Sequence, residues 1–448
     1  MLKPVSRIWW KVRKKLWNYV EEIMKKVDLI ISNCKELLTL QGANRARTGS
    51  EMNDLGIIYD AAIAIRDGNI IECGKESEIL AKYDFNEHID ADNGIVMPGF
   101  VDPHTHPVFY ATRENEFEMR ITGKTYVEIS QSGGGIRSSI NSVRQADEEE
   151  LYQLSRQRIK KLITCGTTTL EAKSGYGLTT ESELKMLRVI KRLSEDLPVD
   201  IVPTFMGAHE FPVEYKDDHE GYIKLLIDEM LPYVAKAELA EYFDIFTEEH
   251  VYNIEQSRRL MQAAKANGFK LRMHADEIKP IGGAELAAEM KAVSADHLGA
   301  CSDAGIKAMR DQGVIATLLP GTIFSLGMKS YARARDMIDA GVAVALATDY
   351  NPGSCNCDSM QFIITLACLQ MKMTVAEAIT ASTINAAAAL ERANKIGSLE
   401  IGKQADIIIL DMPSYKFLPY HFGSNNVSRV IKKGKTIWSD ISNKIIFH

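Results

Sequence analysis

Hydrophobic positions fall into two regimes along the chain. From residue 27 to about 92, and again from 405 to 438, short apolar runs are separated by turn residues. Residues 61–65 and 70–73 flank Arg66-Asp67-Gly68-Asn69, and an Asp-Gly pair between apolar runs predicts a hairpin. Residues 405–410 read as a strand, and 427–438 as a second hairpin turning at Lys433-Gly434. In the middle, short apolar strands alternate with longer stretches of helical period, the signature of a parallel sheet with helical crossovers. Eight strand candidates end near His106, Ser174, His209, Glu249, Glu277, Gly299, Gly321 and Tyr350. One crossover helix is well marked. Leu184, Leu187, Ile190 and Leu193 form an apolar stripe, and Thr180 with Glu183 predicts a capping box at its start.

Eight such units over about 300 residues fit a (β/α)8 TIM barrel, placed at residues 95–396. The two β-rich ends, 24–94 and 397–448, are expected to combine into one small β-sandwich domain. An open doubly wound sheet is the alternative, but no Gly-x-Gly-x-x-Gly fingerprint follows any strand. Residues 1–23 differ from the rest. They hold three of the four tryptophans and six basic residues against two acidic ones. Trp9, Val12, Leu16, Val20 and Ile23 have helical spacing, while lysines and an arginine interrupt any signal-peptide core. The segment is read as an extension outside the fold, with a helix lying on a membrane surface as the other reading.

Composition narrows the class. The 448 residues are 46% hydrophobic and 25% charged, as in a soluble globular protein. A net charge of −7 gives no basic field for nucleic acid, and no apolar run approaches the ~18–20 residues of a membrane span. Seven cysteines in no disulfide or zinc-finger spacing point to a reducing cytoplasm. Cys355 and Cys357 are read as loop residues, and Gly133-Gly134-Gly135 as a loop over the site.

The candidate chemistry sits at the strand ends. His104 and His106 close the first strand, and residues i and i+2 of a strand face the same side. Glu171, Lys173 and Tyr176 surround the end of the second strand, and His209 ends the third. His274, Asp276 and Glu277 end the fifth, His297 the sixth and Asp349 the eighth. In a barrel these ends meet at one face. Burying so many polar groups costs free energy unless each is paired or bound to a metal. His104, His106, His274 and Asp349 make a set of three nitrogens and one oxygen that suits zinc or iron. Such an ion lowers the pKa of a bound water from ~16 toward ~7. Asp349 would take a proton from that water and pass it on, and His297 would orient the water or polarise a carbonyl.

The His-Thr-His strand, the His274-Ala-Asp-Glu277 segment, His297 and the Thr-Asp349 strand resemble the amidohydrolase superfamily. The likeness runs from about residue 27 to 438. It implies a metal-bearing barrel beside a β-sandwich made from both chain ends, with one Zn2+ or Fe3+ per subunit. The segments running from Pro107 to Arg113, Glu171 to Gly177, Gly207 to Glu210 and Thr348 to Ser354 are more specific. They resemble members that open an imidazolone ring carrying a propionate tail. This implies hydrolysis of 4-imidazolone-5-propanoate to N-formimidoyl-L-glutamate in histidine degradation. It gives Asp349, His297 and Glu277 the catalytic roles. It gives Arg113, Tyr176, His209, Glu277, Asn351, Gly353 and Ser354 the contacts to a small-molecule substrate, with Arg113 on the carboxylate. Relatives of this kind often form homodimers.

Other readings stand beside these. A nucleobase-type deaminase would also use His274-x-x-Glu277, although a base has no carboxylate for Arg113. A non-catalytic scaffold would keep the barrel without the metal. Arg113, among Glu114, Glu116 and Glu118, could lie on a solvated charged face, and Tyr176 could only close a glycine-rich turn. Glu171 and Lys173 are expected to support the strand end rather than bind metal.

Overall fold

The computed structural model describes residues 25–124, 128 and 134–440. The N-terminal extension, Gly133 of the glycine loop and the last eight residues of the C-terminal stretch lie outside them. The chain opens with strands β1 (Lys25–Leu38), β2 (Ile57–Arg66), β3 (Asn69–Lys75), β4 (Tyr83–Asp90) and β5 (Ile95–Pro98). β2 and β3 are the expected hairpin. Asp67 and Gly68 both take positive φ, 52° and 73°, the two-residue turn whose twist matches its strands. One helix, Glu76–Lys82, interrupts this stretch, which the hydrophobic pattern predicts as β throughout. Its Glu, Leu, Ala and Lys are good helix formers, and propensity prevails at this exposed site.

The barrel follows. Its strands are β6 (Phe100–Asp102), β7 (Thr167–Lys173), β8 (Asp200–Ala208) and β9 (Tyr242–Thr247), then β10 (Lys270–Ala275), β11 (Ser294–His297), β12 (Ile315–Leu318) and β13 (Val344–Leu346). They pair in sequence order, every pair parallel. The ring closes just beyond the ends of β6 and β13. There the Asp349 amide donates to the His104 carbonyl (3.1 Å) and the His106 amide to the Tyr350 carbonyl (2.8 Å). Asp102 adds a side-chain clasp, accepting from the Thr348 amide (3.0 Å) and hydroxyl (2.5 Å). Closure therefore places His104, His106 and Asp349 side by side.

The crossover helix Thr180–Asp196 buries Met186, Leu187, Val189, Ile190 and Leu193 against the barrel. Its cap differs from the expected one. Thr179, not Thr180, is the N-cap and accepts from the Ser182 amide (3.2 Å). Glu183 does not complete a capping box, because its carboxylate is taken by a neighbouring turn described below.

The chain ends with β14 (Ile407–Leu410), β15 (Val427–Lys432) and β16 (Lys435–Ser439). These extend the first sheet, in the order β16-β15-β14-β5-β1-β2-β3 with β4 beside β1. Both chain ends thus share one sheet that encloses its own core of Leu29, Ile31, Ile63, Ile65, Val96, Ile407, Ile409 and Ile431. β5 pairs with β1 and β14, so residues 95–98 belong to this sheet and not to the barrel expected to begin at 95. No helix among the described residues is long and apolar enough to cross a membrane.

Candidate metal centre

Four imidazoles and one carboxylate converge at the C-terminal mouth of the barrel. His104, His106 and Asp349 bring ligand atoms within 4.8 Å of one another, and so do His104, His274 and His297. Nε2 of His104 and Nε2 of His106 lie 3.7 and 3.8 Å from Asp349 Oδ1. The rings of His104 and His274 are 4.5 Å apart, centroid to centroid. All five side chains are buried or nearly so.

Each ring is aimed by what it touches. His104 Nδ1 is held by Asp296 Oδ2 (2.7 Å) and His274 Nδ1 by Asp244 Oδ1 (3.1 Å). A carboxylate accepts the Nδ1 proton, so each Nε2 faces inward with its lone pair. Thr322 donates to Asp349 Oδ2 (2.5 Å), leaving Oδ1 toward the histidines. His104 Nε2, which faces Asp349, is buried without any hydrogen-bond partner. Unpaired polar atoms of this kind are costly, and a metal ion answers that cost. The donor set fits one.

Beneath the mouth lies a charged layer. Lys173 donates to Glu171 (2.7 Å) and Asp244 (2.6 Å), and Arg272 pairs with Asp296 (3.1 Å). All five side chains are fully buried. Glu171 and Lys173 thus support the strand ends as expected. Asp244, Asp296 and Arg272 are residues that reasoning from sequence misses. The available signal was a lone charge inside each buried apolar strand.

Burial sets the electrostatics. It holds His104, His106 and His297 well below the ordinary imidazole range, with the neighbouring cations adding to the effect. For His274 burial works in the same direction, but Asp244 outweighs it and raises the pKa. Burial raises Asp349 to about 6 and Glu277 to about 7, Asp349 itself adding to the latter. Glu277 Oε2 stands 3.6 Å from His297 Nδ1. His297 and Asp349 both hold positive φ, 73° and 53°, a conformation that costs a side-chain-bearing residue free energy and gathers at functional sites. Asp276 serves the backbone instead, accepting the amides of Gly282, Gly283 and Ala284.

The remaining expected residues line one side. Tyr176 is buried, its phenol pushed up by burial and then by Asp349, with Arg113 opposing. His209 donates Nδ1–H to the Gly175 carbonyl (3.0 Å), and burial lowers its pKa to about 3. Arg113 is not on a solvated face. Its Nη2 pairs with buried Glu116 (2.7 Å), and its buried Nε has no partner. Gly353 packs directly on the guanidinium, where a Cβ would collide.

Asn351 departs from expectation. Its Oδ1 accepts the amides of Gly353 (2.8 Å), Ser354 (2.8 Å) and Cys355 (3.3 Å), and its Nδ2 donates to the Asp349 carbonyl (2.7 Å) and the Ser354 hydroxyl (2.8 Å). Every polar valence of this side chain is spent inside the loop. The same bonds occupy the Gly353 and Ser354 amides. The three residues therefore shape the loop beside Asp349 and Arg113, and their amides are not free for a ligand. All seven cysteines are unpaired, and burial pushes the Cys355 thiol far up, in keeping with a loop residue.

A parallel barrel with this histidine–aspartate mouth defines a metal-dependent hydrolase type, and the chain belongs to the amidohydrolase family, which it matches over residues 95–437. Within that family it is similar to imidazolonepropionases. The imidazolonepropionase of Alkaliphilus metalliredigens is 48% identical over 92% of this chain and 98% of its own length. That of Clostridium tetani is 49% identical over 93% and 99%. Among solved structures, a zinc-bound adenosine deaminase from Xanthomonas campestris superposes with a TM-score of 0.69 at 18% identity, over 92% of this chain and 93% of its own. That likeness is one of fold.

Proposed function

We propose that this chain hydrolyses 4-imidazolone-5-propanoate to N-formimidoyl-L-glutamate. Similarity to imidazolonepropionases, 48% and 49% identical over nearly the full length, supports the activity. The observation that carries the substrate class is Arg113: a half-buried guanidinium under Gly353, paired with Glu116 through Nη2, whose Nε lacks an acceptor. A propionate carboxylate supplies that acceptor through a charge-assisted bond.

His104, His106, His274 and Asp349 would hold one zinc or iron(III) ion. When bound, the ion acidifies water and polarises the ring carbonyl. The side chains do the rest. Water adds to the ring carbonyl carbon, the carbonyl carbon–nitrogen bond breaks with nitrogen as the leaving group, and the carbon is left in the product as a carboxylate. Asp349 Oδ1 accepts the water proton. Glu277, held near neutrality by burial, contacts the ring nitrogen and hands a proton to it as it leaves. His297, beside Glu277, orients the water. Arg113 and Tyr176 fix the propionate, and His209 fixes the ring.

The test is loss of ring absorbance with purified protein and imidazolonepropionate, before and after exhaustive chelation. Turnover that stops on chelation and returns with zinc or iron is expected. Release of ammonia in place of formimidoylglutamate would assign a deaminase instead.

A further inference from the structure

Glu183 is 1% exposed, although it sits in the first turn of a surface helix. Its carboxylate reaches back to the turn that follows β7. Oε1 accepts the amides of Gly177 (2.8 Å) and Leu178 (2.9 Å), and Oε2 accepts the amide of Gly175 (3.1 Å). The peptides on either side of the Gly175–Tyr176 bond are therefore pinned. The Gly175 carbonyl between them meets His209 Nδ1 at 3.0 Å. The geometry also excludes a side chain. Gly175 has φ +107°, and a Cβ would stand 3.0 Å from that same Nδ1.

A carbonyl oxygen only accepts, so His209 Nδ1 carries the hydrogen. In a neutral imidazole the other nitrogen is then a bare acceptor. The His209 ring lies among those of Tyr176 (5.3 Å), His106 (5.4 Å) and His274 (6.0 Å), inside the mouth of the barrel. We propose that Glu183, acting through the Gly175 carbonyl, fixes His209 as its Nδ1–H tautomer, so that Nε2 selects substrates that present a ring N–H. Glu183 is then a positioning residue: it touches no substrate, yet it decides whether His209 offers or receives a hydrogen bond. The substrate half of this inference rests on the ring-hydrolase reading; the tautomer half does not.

The experiment uses the full chain with 15N-labelled histidine, His209 being assigned by comparison with His209→Gln. Long-range proton–nitrogen spectra are expected to show a protonated Nδ1 and a bare Nε2. Glu183→Gln turns its amide group against at least one of the three backbone N–H groups and frees the carbonyl. The expected result is a mixture of tautomers, together with a collapse of the discrimination between imidazolonepropionate and its ring-N-methyl analogue from about hundredfold to under about tenfold. Glu183→Asp, which keeps the charge but cannot span all three amides, should fall between. A proton on Nε2 in the unmodified protein overturns the proposal whether or not a variant folds. So does a Glu183→Gln protein with unchanged tautomer and unchanged discrimination. If imidazolonepropionate is not turned over while Nδ1 is protonated, the activity fails and the tautomer assignment stands.

Discussion

Two side chains at the barrel mouth, His104 and Asp349, are each held by a partner that leaves one atom free. Asp349 gives Oδ2 to Thr322 and keeps Oδ1 for the histidines. Replacing it with Asn removes both a ligand oxygen and a proton acceptor, so kcat should fall by at least about a thousandfold, and metal analysis should show a substoichiometric ion. A rate within tenfold of the unmodified protein would contradict both roles. Arg113→Met removes the carboxylate partner but no reacting group. KM should rise by about tenfold to a hundredfold with kcat little changed, the scale of one charge-assisted hydrogen bond. At this scale the histidines of the mouth were legible as polar residues at or just past the ends of apolar runs, although His104 and His106 follow β6, which ends at Asp102, and do not close it as the sequence suggests. Asp244 and Asp296 were not, because a single acid inside a buried strand says nothing of which histidine it will meet. Asn351 misled for another reason. Its motif marks the loop correctly, but the motif cannot tell a side chain that contacts ligand from one consumed in holding the loop together.

At the level of elements, the alternation of strand and helix was readable because the periods differ, and all eight barrel strands follow it, although β6 and β13 end at Asp102 and Leu346, short of the expected His106 and Tyr350. What a sequence pattern cannot carry is contact between distant turns. The two hairpins were each visible from Asp67-Gly68 and Lys433-Gly434, yet their meeting was not. The Gly68 carbonyl accepts from the Ala405 amide (2.9 Å), and the Ala405 carbonyl accepts from the Gly434 amide (3.0 Å). A Cβ on Gly68 would come within 2.9 Å of the Lys433 carbonyl, and its φ is positive besides. Gly68→Ala should therefore cost about 1–3 kcal/mol, read as a lower urea midpoint. kcat should stay unchanged, since the turn lies in the sheet and not at the barrel mouth. An unaltered midpoint would mean that the two turns give way without cost.

For the molecule as a whole, the barrel and the shared sheet are joined by charge as well as by apolar packing. Asp200 begins β8 of the barrel. It accepts from Lys432 of β15 (2.7 Å), from Lys433 (3.1 Å) and from Gln404 (3.0 Å). Burial alone would raise its pKa, but the two lysines and the amide outweigh burial and bring it from an ordinary 3.8 down to about 2. A carboxylate whose folded pKa lies below its unfolded one stabilises the fold above the unfolded value and loses that contribution as pH falls through the folded one. The Asp200 contribution is thus complete above about pH 5 and fades between about pH 4 and 2. Its size is moderate, because the Asp200 side chain is 39% exposed and solvent screens the pair. Lys432 also keeps Asp406 at 2.8 Å when Asp200 is gone. Asp200→Asn should lower the Tm at neutral pH, and the gap to the unmodified protein should narrow as the solution is acidified below about pH 4. A gap that stays constant on acidification would place the cost in lost packing or amide geometry instead of in the charge. The same variant should leave metal content unchanged, because Asp200 sits at the start of its strand and the histidine–aspartate cluster lies at the opposite, C-terminal mouth of the barrel.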